Sequence, residues 1–119
     1  MMTNEIQYTL EWTIKPGGLE AFKAIANKAI KLVQANEPDM KGYQWYFNDD
    51  ESKCYTAEWQ LNSESLLAHL QNVGDVLPEL LGHSNITRFE VFGNPNPQAL
   101  EAVKGLGAQV FGYFNGFTR

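Results

Sequence analysis

His69 is the residue in this chain best suited to proton transfer. An imidazole has the side-chain pKa nearest neutral pH, so a modest environment sets it to give or take a proton. It lies in the stretch Tyr55–Leu70, where an aromatic segment through Trp59 meets a polar cap at Asn62-Ser63 and then an amphipathic run. Its place on the flank of a Leu66/Leu70/Val73 stripe suits a base, or a donor to a phenolic oxygen, at a pocket edge. The competing reading is a boundary histidine that packs its ring and keeps one nitrogen wet. Trp59 and Trp12 could stack on a planar molecule, although large rings on a strand face mostly fill cores. Tyr8, Tyr43 and Tyr55 each carry a hydroxyl that needs a partner when buried, and any of them could complete a polar pocket end beside His69. Glu58 and Arg88 read as an ion pair on a polar sheet face, and His83 as a loop residue. Cys54, the one cysteine, has no activating neighbour in the sequence and cannot form an intrachain disulfide. No Cys/His cluster has metal-ligand spacing.

The elements that must position these residues follow from periodicity. Ile6, Tyr8, Leu10, Trp12 and Ile14 alternate with Gln7, Thr9, Glu11 and Thr13, the period of a half-buried strand. Pro16-Gly17-Gly18 stops it. Leu19, Phe22, Ala26, Ala29 and Val33 form one helical stripe, closed by Asn36-Glu37-Pro38 because the residue before proline resists helical geometry. Tyr43, Trp45 and Phe47 share a strand face. After the polar turn at 48–52, residues 54–61 place Tyr55, Ala57, Trp59 and Leu61 on one face, completing a hairpin. A helix capped at Asn62 or Ser63 continues through Leu77 and Leu81, bent or broken by Gly74 and Pro78. Ile86 to Phe92 is a fourth strand. The order strand–helix–strand–strand–helix–strand is the ferredoxin-like α+β sandwich: an antiparallel sheet with both helices on one face. The other face, with Glu58 and Arg88 on it, is polar and suits water or a second copy of the chain.

Composition limits the partners. The chain has 119 residues, 44% hydrophobic and 19% charged, with net charge −5 and seven Phe, five Tyr and three Trp. This is a globular composition of one-domain size. Lacking a Lys/Arg-rich run, it offers no nucleic-acid footprint. No apolar run is long enough to span a membrane. The polar start Met-Met-Thr-Asn-Glu lacks signal-peptide layout, so a cytoplasmic protein is expected. Residues 1–95 read as the core unit, with 96–119 a C-terminal helix and aromatic arm of the same domain. Asn96 caps that helix and Pro97 opens it. The arm places Val110, Phe111, Tyr113, Phe114 and Phe117 close together. Burial against a sheet edge or a partner subunit is expected for them.

Three segments together resemble the antibiotic biosynthesis monooxygenase family: Pro16-Gly17-x-x-Glu20-x-Phe22, Glu37-Pro38-x-x-x-Gly42-Tyr43, and Glu58-Trp59-x-x-x-Ser63-Glu64-x-Leu66-x-x-His69-Leu70. The resemblance covers roughly residues 6–92. It implies a homodimer whose sheets close into a dimeric α+β barrel, with a pocket in each subunit between sheet and helices. It further implies a monooxygenase that needs no cofactor and acts on an aromatic, quinol- or polyketide-like small molecule. His69 would be the base, and Trp59, Trp12, Tyr8, Tyr43 and Tyr55 the substrate walls. A non-catalytic binding or stress-response barrel, and an isomerase of a small oxygenated metabolite, are the alternatives on the same fold. The haem-degrading branch is a poor match: Leu10, His69 and Glu79 stand where it has Asn, Trp and His.

Overall fold

A computed structural model describes residues 4–119; Met1–Thr3, the start of the segment read for a leader, lie outside it. The elements are β1 (Ile6–Ile14), α1 (Leu19–Asn36), β2 (Met40–Phe47), β3 (Lys53–Gln60), α2 (Ser63–Asn72), α3 (Val76–Leu81), β4 (Ser84–Phe92), α4 (Pro97–Gly105) and β5 (Gln109–Phe111). The sheet order is β2-β3-β1-β4-β5. The first four strands pair antiparallel, and β5 runs parallel to β4 at the edge. This is the ferredoxin-like α+β sandwich, extended by a helix and an edge strand.

β1 is central because its alternation is cleanest. Ile6, Tyr8, Leu10 and Trp12 are all buried under the helices. α1 lays Phe22, Ala26, Ala29 and Val33 onto that face, as its stripe requires. Phe22 sets its ring edge-on to Trp12, Trp45 and Phe47, with centroids 6.0, 6.1 and 6.1 Å away, an arrangement aromatic quadrupoles favour. The capping of α2 is reciprocal: the Ser65 amide donates to Asn62 Oδ1 at 2.8 Å, and the Asn62 amide donates to Ser65 Oγ at 3.2 Å. The long helix expected after it is two helices. Gly74 falls in the break, and Pro78 sits in the first turn of α3, where a proline costs no intrahelical bond. The break turns Val76 and Leu80 into the core.

β3 corrects the sequence reading. Its buried face carries Cys54, Thr56, Glu58 and Gln60, and its open face carries Tyr55, Ala57 and Trp59. Register decides this. Tyr8 stands opposite Glu58 and Leu10 opposite Thr56 on β1, while Tyr43 stands opposite Glu58 on β2. Directly paired residues share a face, so β3 must present its polar set to the core. Each member of that set finds a partner there. Trp12 Nε1 donates to Thr56 Oγ1 at 3.3 Å, and Gln60 Nε2 donates to the Tyr8 hydroxyl at 3.0 Å. The expected Glu58–Arg88 pair does not form, since Arg88 bonds Glu90 at 3.1 Å on the opposite side of the sheet.

The segment beyond residue 95 is integral to the core. Asn96 caps α4 through the Ala99 amide at 2.8 Å, and Ala99 and Val103 are fully buried. β5 then extends the sheet, and Phe111 stacks on Phe92 with centroids 5.6 Å apart. Burial of the whole arm does not occur within one chain: Phe114 is 96% exposed and Phe117 81%. The β5 ladder ends at Phe111, so the rings after it gain no sheet cover.

Candidate active site

Three side chains from three elements meet in the core. Glu37 is the C-cap that follows α1, where its amide bonds the Val33 carbonyl and Pro38 forbids a further turn. His69 lies in the last turn of α2, the end of a helix that favours positive charge. Glu58 projects inward from β3. His69 Nδ1 lies 2.8 and 3.1 Å from the two Glu37 oxygens, and Nε2 lies 3.2 Å from Glu58 Oε1. Each of the three side chains is about 5% exposed. Asn72 fixes the outer carboxylate by donating to Glu37 Oε2 at 2.7 Å.

Burial alone would strip the ring of its charge. The hydrogen bonds to Glu37 and Glu58, with the negative charges they carry, outweigh it and raise the His69 pKa to about 9. His69 is therefore an imidazolium at neutral pH, donating from both nitrogens. A neutral, free imidazole base is not what the fold presents. The Glu58 side chain, paired to His69 Nε2, lines a cavity next to the ring.

Tyr8 and Tyr43 close over the ring, with centroids 6.4 and 5.4 Å from His69. Burial first, then the charge of Glu58, holds both phenols well above their ordinary pKa, so both stay neutral donors. Beyond them lies a cavity of about 60 Å³. Its walls are apolar, among them Leu10, Trp12, Val76, Leu80 and Phe89, and the exposed Leu106 also lines it. Tyr8, Tyr43, Glu58 and His69 are its polar end.

Of the residues singled out from sequence, His69, Tyr8, Tyr43 and Trp12 line this cavity. Trp59 and Tyr55 do not. Both lie on the open face of the sheet, where Trp59 Nε1 donates to Glu5 Oε1 at 2.8 Å and the Lys41 ammonium sits 4.8 Å from its ring centroid. Lys41 is the extra residue of a bulge between Met40 and Gly42, which aims it there. Glu37 and Glu58 were the residues missed. Both stand in the segments that carry the family resemblance, but only register turns Glu58 inward. Burial pushes the Cys54 thiol up to about 12, which keeps it inert. Among the described residues no group of three or more His, Cys, Asp or Glu could hold a metal ion. No helix among them is long and apolar enough to cross a membrane.

The charged trio makes stability depend on pH. The folded His69 pKa is raised above the unfolded value near 6.5, so its contribution is complete below that value and is lost as pH rises through about 9. At 1.36 kcal/mol per pKa unit the amount is about 3 kcal/mol. Urea unfolding at pH 6 and pH 9.5 is expected to differ by that amount, with the higher stability at pH 6. Equal stabilities would show that the ring is not held charged.

Comparison with known proteins places the fold. No family model matches the sequence, and no curated protein matches it. Solved structures do. MupZ from Pseudomonas fluorescens is 25% identical, with 98% of this chain and 96% of that one covered at a TM-score of 0.82. SnoaB from Streptomyces nogalater, a cofactor-independent oxygenase, is 12% identical over 79% of this chain and 96% of its own, at 0.67. A Caulobacter crescentus protein described as a candidate antibiotic biosynthesis monooxygenase is 16% identical over 76% and 89%, also at 0.67. The fold is thus the one shared by structures named as antibiotic biosynthesis monooxygenases and cofactor-independent oxygenases. The similarity to MupZ extends over the C-terminal helix and arm as well.

Proposed function

We propose that this protein is an oxygenase that removes a proton from a small hydroxyaromatic molecule and lets the resulting anion react with O₂ in an apolar cavity. The observation that supports it best is the Glu58–His69–Glu37 trio set at the polar end of that cavity. Glu58 accepts the proton, His69 keeps the carboxylate oriented and compensated, and Tyr8 and Tyr43 donate toward substrate oxygens. Apolar walls exclude water and hold the reactants together. With no external reductant the four electrons that O₂ takes must come from the substrate. The balanced reaction converts a ring CH₂ to a carbonyl: one oxygen atom enters the product and the other leaves as water with both carbon-bound protons. No cofactor is required by that balance.

A cavity of about 60 Å³ is smaller than the ~150 Å³ that holds benzene, so its lining must give way when substrate enters. The same small volume favours the alternative of a non-catalytic barrel. An oxygen electrode with a panel of phenols bearing an acidic ring CH₂ separates the readings. Oxygen uptake matched one to one by carbonyl product supports the oxygenase. A rearranged product without uptake supports the isomerase, and no change in any substrate supports the non-catalytic barrel.

Assembly as a homodimer through the open sheet face belongs to the same reading. That face carries Tyr46, Tyr55 and Phe92, each at least 40% exposed, and Phe114 and Phe117 of the arm are exposed as well. Exposed rings on this scale mark an interaction surface. Sedimentation at micromolar concentration is expected to give twice the 13.4 kDa chain mass. Deleting residues 112–119 should weaken the dimer measurably, and a full-length species of 13.4 kDa would end the proposal.

A further inference from the structure

Tyr43 belongs to two spaces. It lines the polar end of the cavity, and it also lines a surface groove of about 480 Å³. The groove runs between α1 and the edge strand β2, with Ile30, Val33 and Gln34 on one wall and Met40, Gln44 and Trp45 on the other. Among the described residues Tyr43 alone lines both spaces. Its ring is packed but not tied. Trp45 and His69 meet it at steep angles, each with its centroid 5.4 Å away. No hydrogen bond among the described residues holds its hydroxyl, whereas the Tyr8 hydroxyl accepts from Gln60 Nε2 at 3.0 Å. A ring held by contacts alone can change rotamer without breaking a hydrogen bond.

Size gives this division a meaning. The cavity, at about 60 Å³, is too small for one aromatic ring until its lining gives way. Movement of Tyr43 would enlarge it and make it continuous with a groove several times its volume. The groove walls state the chemistry they take. Ile30, Val33, Met40 and the Trp45 ring are apolar, and Gln34 and Gln44 offer neutral amides. Among the described residues its one charged lining group is Glu37, whose oxygens already accept from His69 Nδ1 and Asn72. That carboxylate repels an anion.

We propose that this groove is a subsite for the remote part of an elongated substrate, an uncharged and largely apolar tail, and that Tyr43 is the gate past which the reactive end enters the cavity. The proposal rests on the cavity being the reaction site and adds the substrate class: a hydroxyl-bearing ring at one end, a chain or further ring at the other. Binding energy from the tail offsets the cost of displacing Tyr43, the use to which contacts remote from the reacting atoms are put.

The test titrates phenols that lack an acidic ring CH₂, so that nothing turns over, against the full chain by methyl NMR. The Leu80 methyls report on the cavity and the Met40 methyl on the groove. Para-cresol is expected to shift Leu80 only. Para-hexylphenol is expected to shift both and to bind at least tenfold tighter, because its added methylenes leave water. A carboxylate at the end of the chain should cancel most of that gain, and a terminal hydroxyl should not. Gln34→Trp combined with Gln44→Trp, at exposed positions on opposite walls, fills the groove and should cut the advantage to under threefold. Ala68→Trp, on a neighbouring groove, should leave it intact. Tyr43→Ala should speed association of para-cresol at least tenfold, and an unchanged rate would remove the gate. A silent Met40 while Leu80 responds to both phenols, or equal affinity for the two, overturns the subsite. So does loss of the advantage through Leu106→Trp, at the exposed residue on the cavity lining, in place of the groove pair. Oxygen uptake is read separately. Both methyls responding in a protein that consumes no O₂ keeps the subsite and removes the oxygenase, and uptake with a silent Met40 does the reverse.

Discussion

Glu58→Gln is expected to lower turnover of an acidic hydroxyaromatic by roughly 10²–10⁴-fold, the usual worth of a positioned general base. The amide has the shape of the carboxylate, and its carbonyl oxygen still accepts the His69 Nε2 proton at the 3.2 Å position. It cannot take a proton from substrate. The loss should therefore fall on kcat, with KM little changed, because the apolar walls that hold the ring are untouched. Glu58 rather than His69 is the informative position. His69 is already protonated below pH 9, so its removal tests charge compensation, whereas removal of Glu58 tests proton abstraction. Wild-type turnover in a folded Glu58→Gln protein would exclude Glu58 as the base.

His69→Ala is expected to destabilise the fold by about 3–5 kcal/mol at pH 7, the range for stripping one partner from a buried ion pair. Two carboxylates, each about 5% exposed, would face the vacated space without a cation. For a domain of this size the loss corresponds to a fall in melting temperature of roughly 10–20 °C. The cause has its own check. Removing both buried charges, with Glu37→Gln and Glu58→Gln in both backgrounds, should close the gap between variant and wild type. A gap that persists there would assign the loss to packing of the ring, and a gap under 1 kcal/mol at pH 7 would show that Glu37 and Glu58 do not depend on the imidazolium. A substitution that sequence alone presents as a clean test of catalysis is thus a test of folding.

The sequence by itself determined the architecture. Period-two alternation in β1, the α1 stripe from Phe22 to Val33, the cap at Asn62 and the Asn96-Pro97 start of α4 are local signals. Each is decided by residues within one or two turns, and each stands in the structure where the pattern puts it. His69, Tyr8, Tyr43 and Trp12 were each legible as candidates, but that these four line one cavity, without Trp59 and Tyr55, was decided by packing. β3 was different. Its more apolar set, Tyr55, Ala57 and Trp59, faces outward, and its polar set faces the core. Strand alternation fixes which residues share a face but not which face is buried, and the choice passes to pairing. Here the hairpin does it: the Asn48 amide bonds the Lys53 carbonyl at 3.1 Å, and Glu51 takes a left-handed conformation, φ 58°, in the turn. That loop sets Tyr43 opposite Glu58. One residue more or less in the turn would reverse the parity and send Glu58 to solvent. The tertiary structure alone decided that a carboxylate from β3 meets an imidazole from α2 and a second carboxylate from the end of α1. Their separations in sequence are 11 and 32 residues, and no local preference can measure a distance closed by packing.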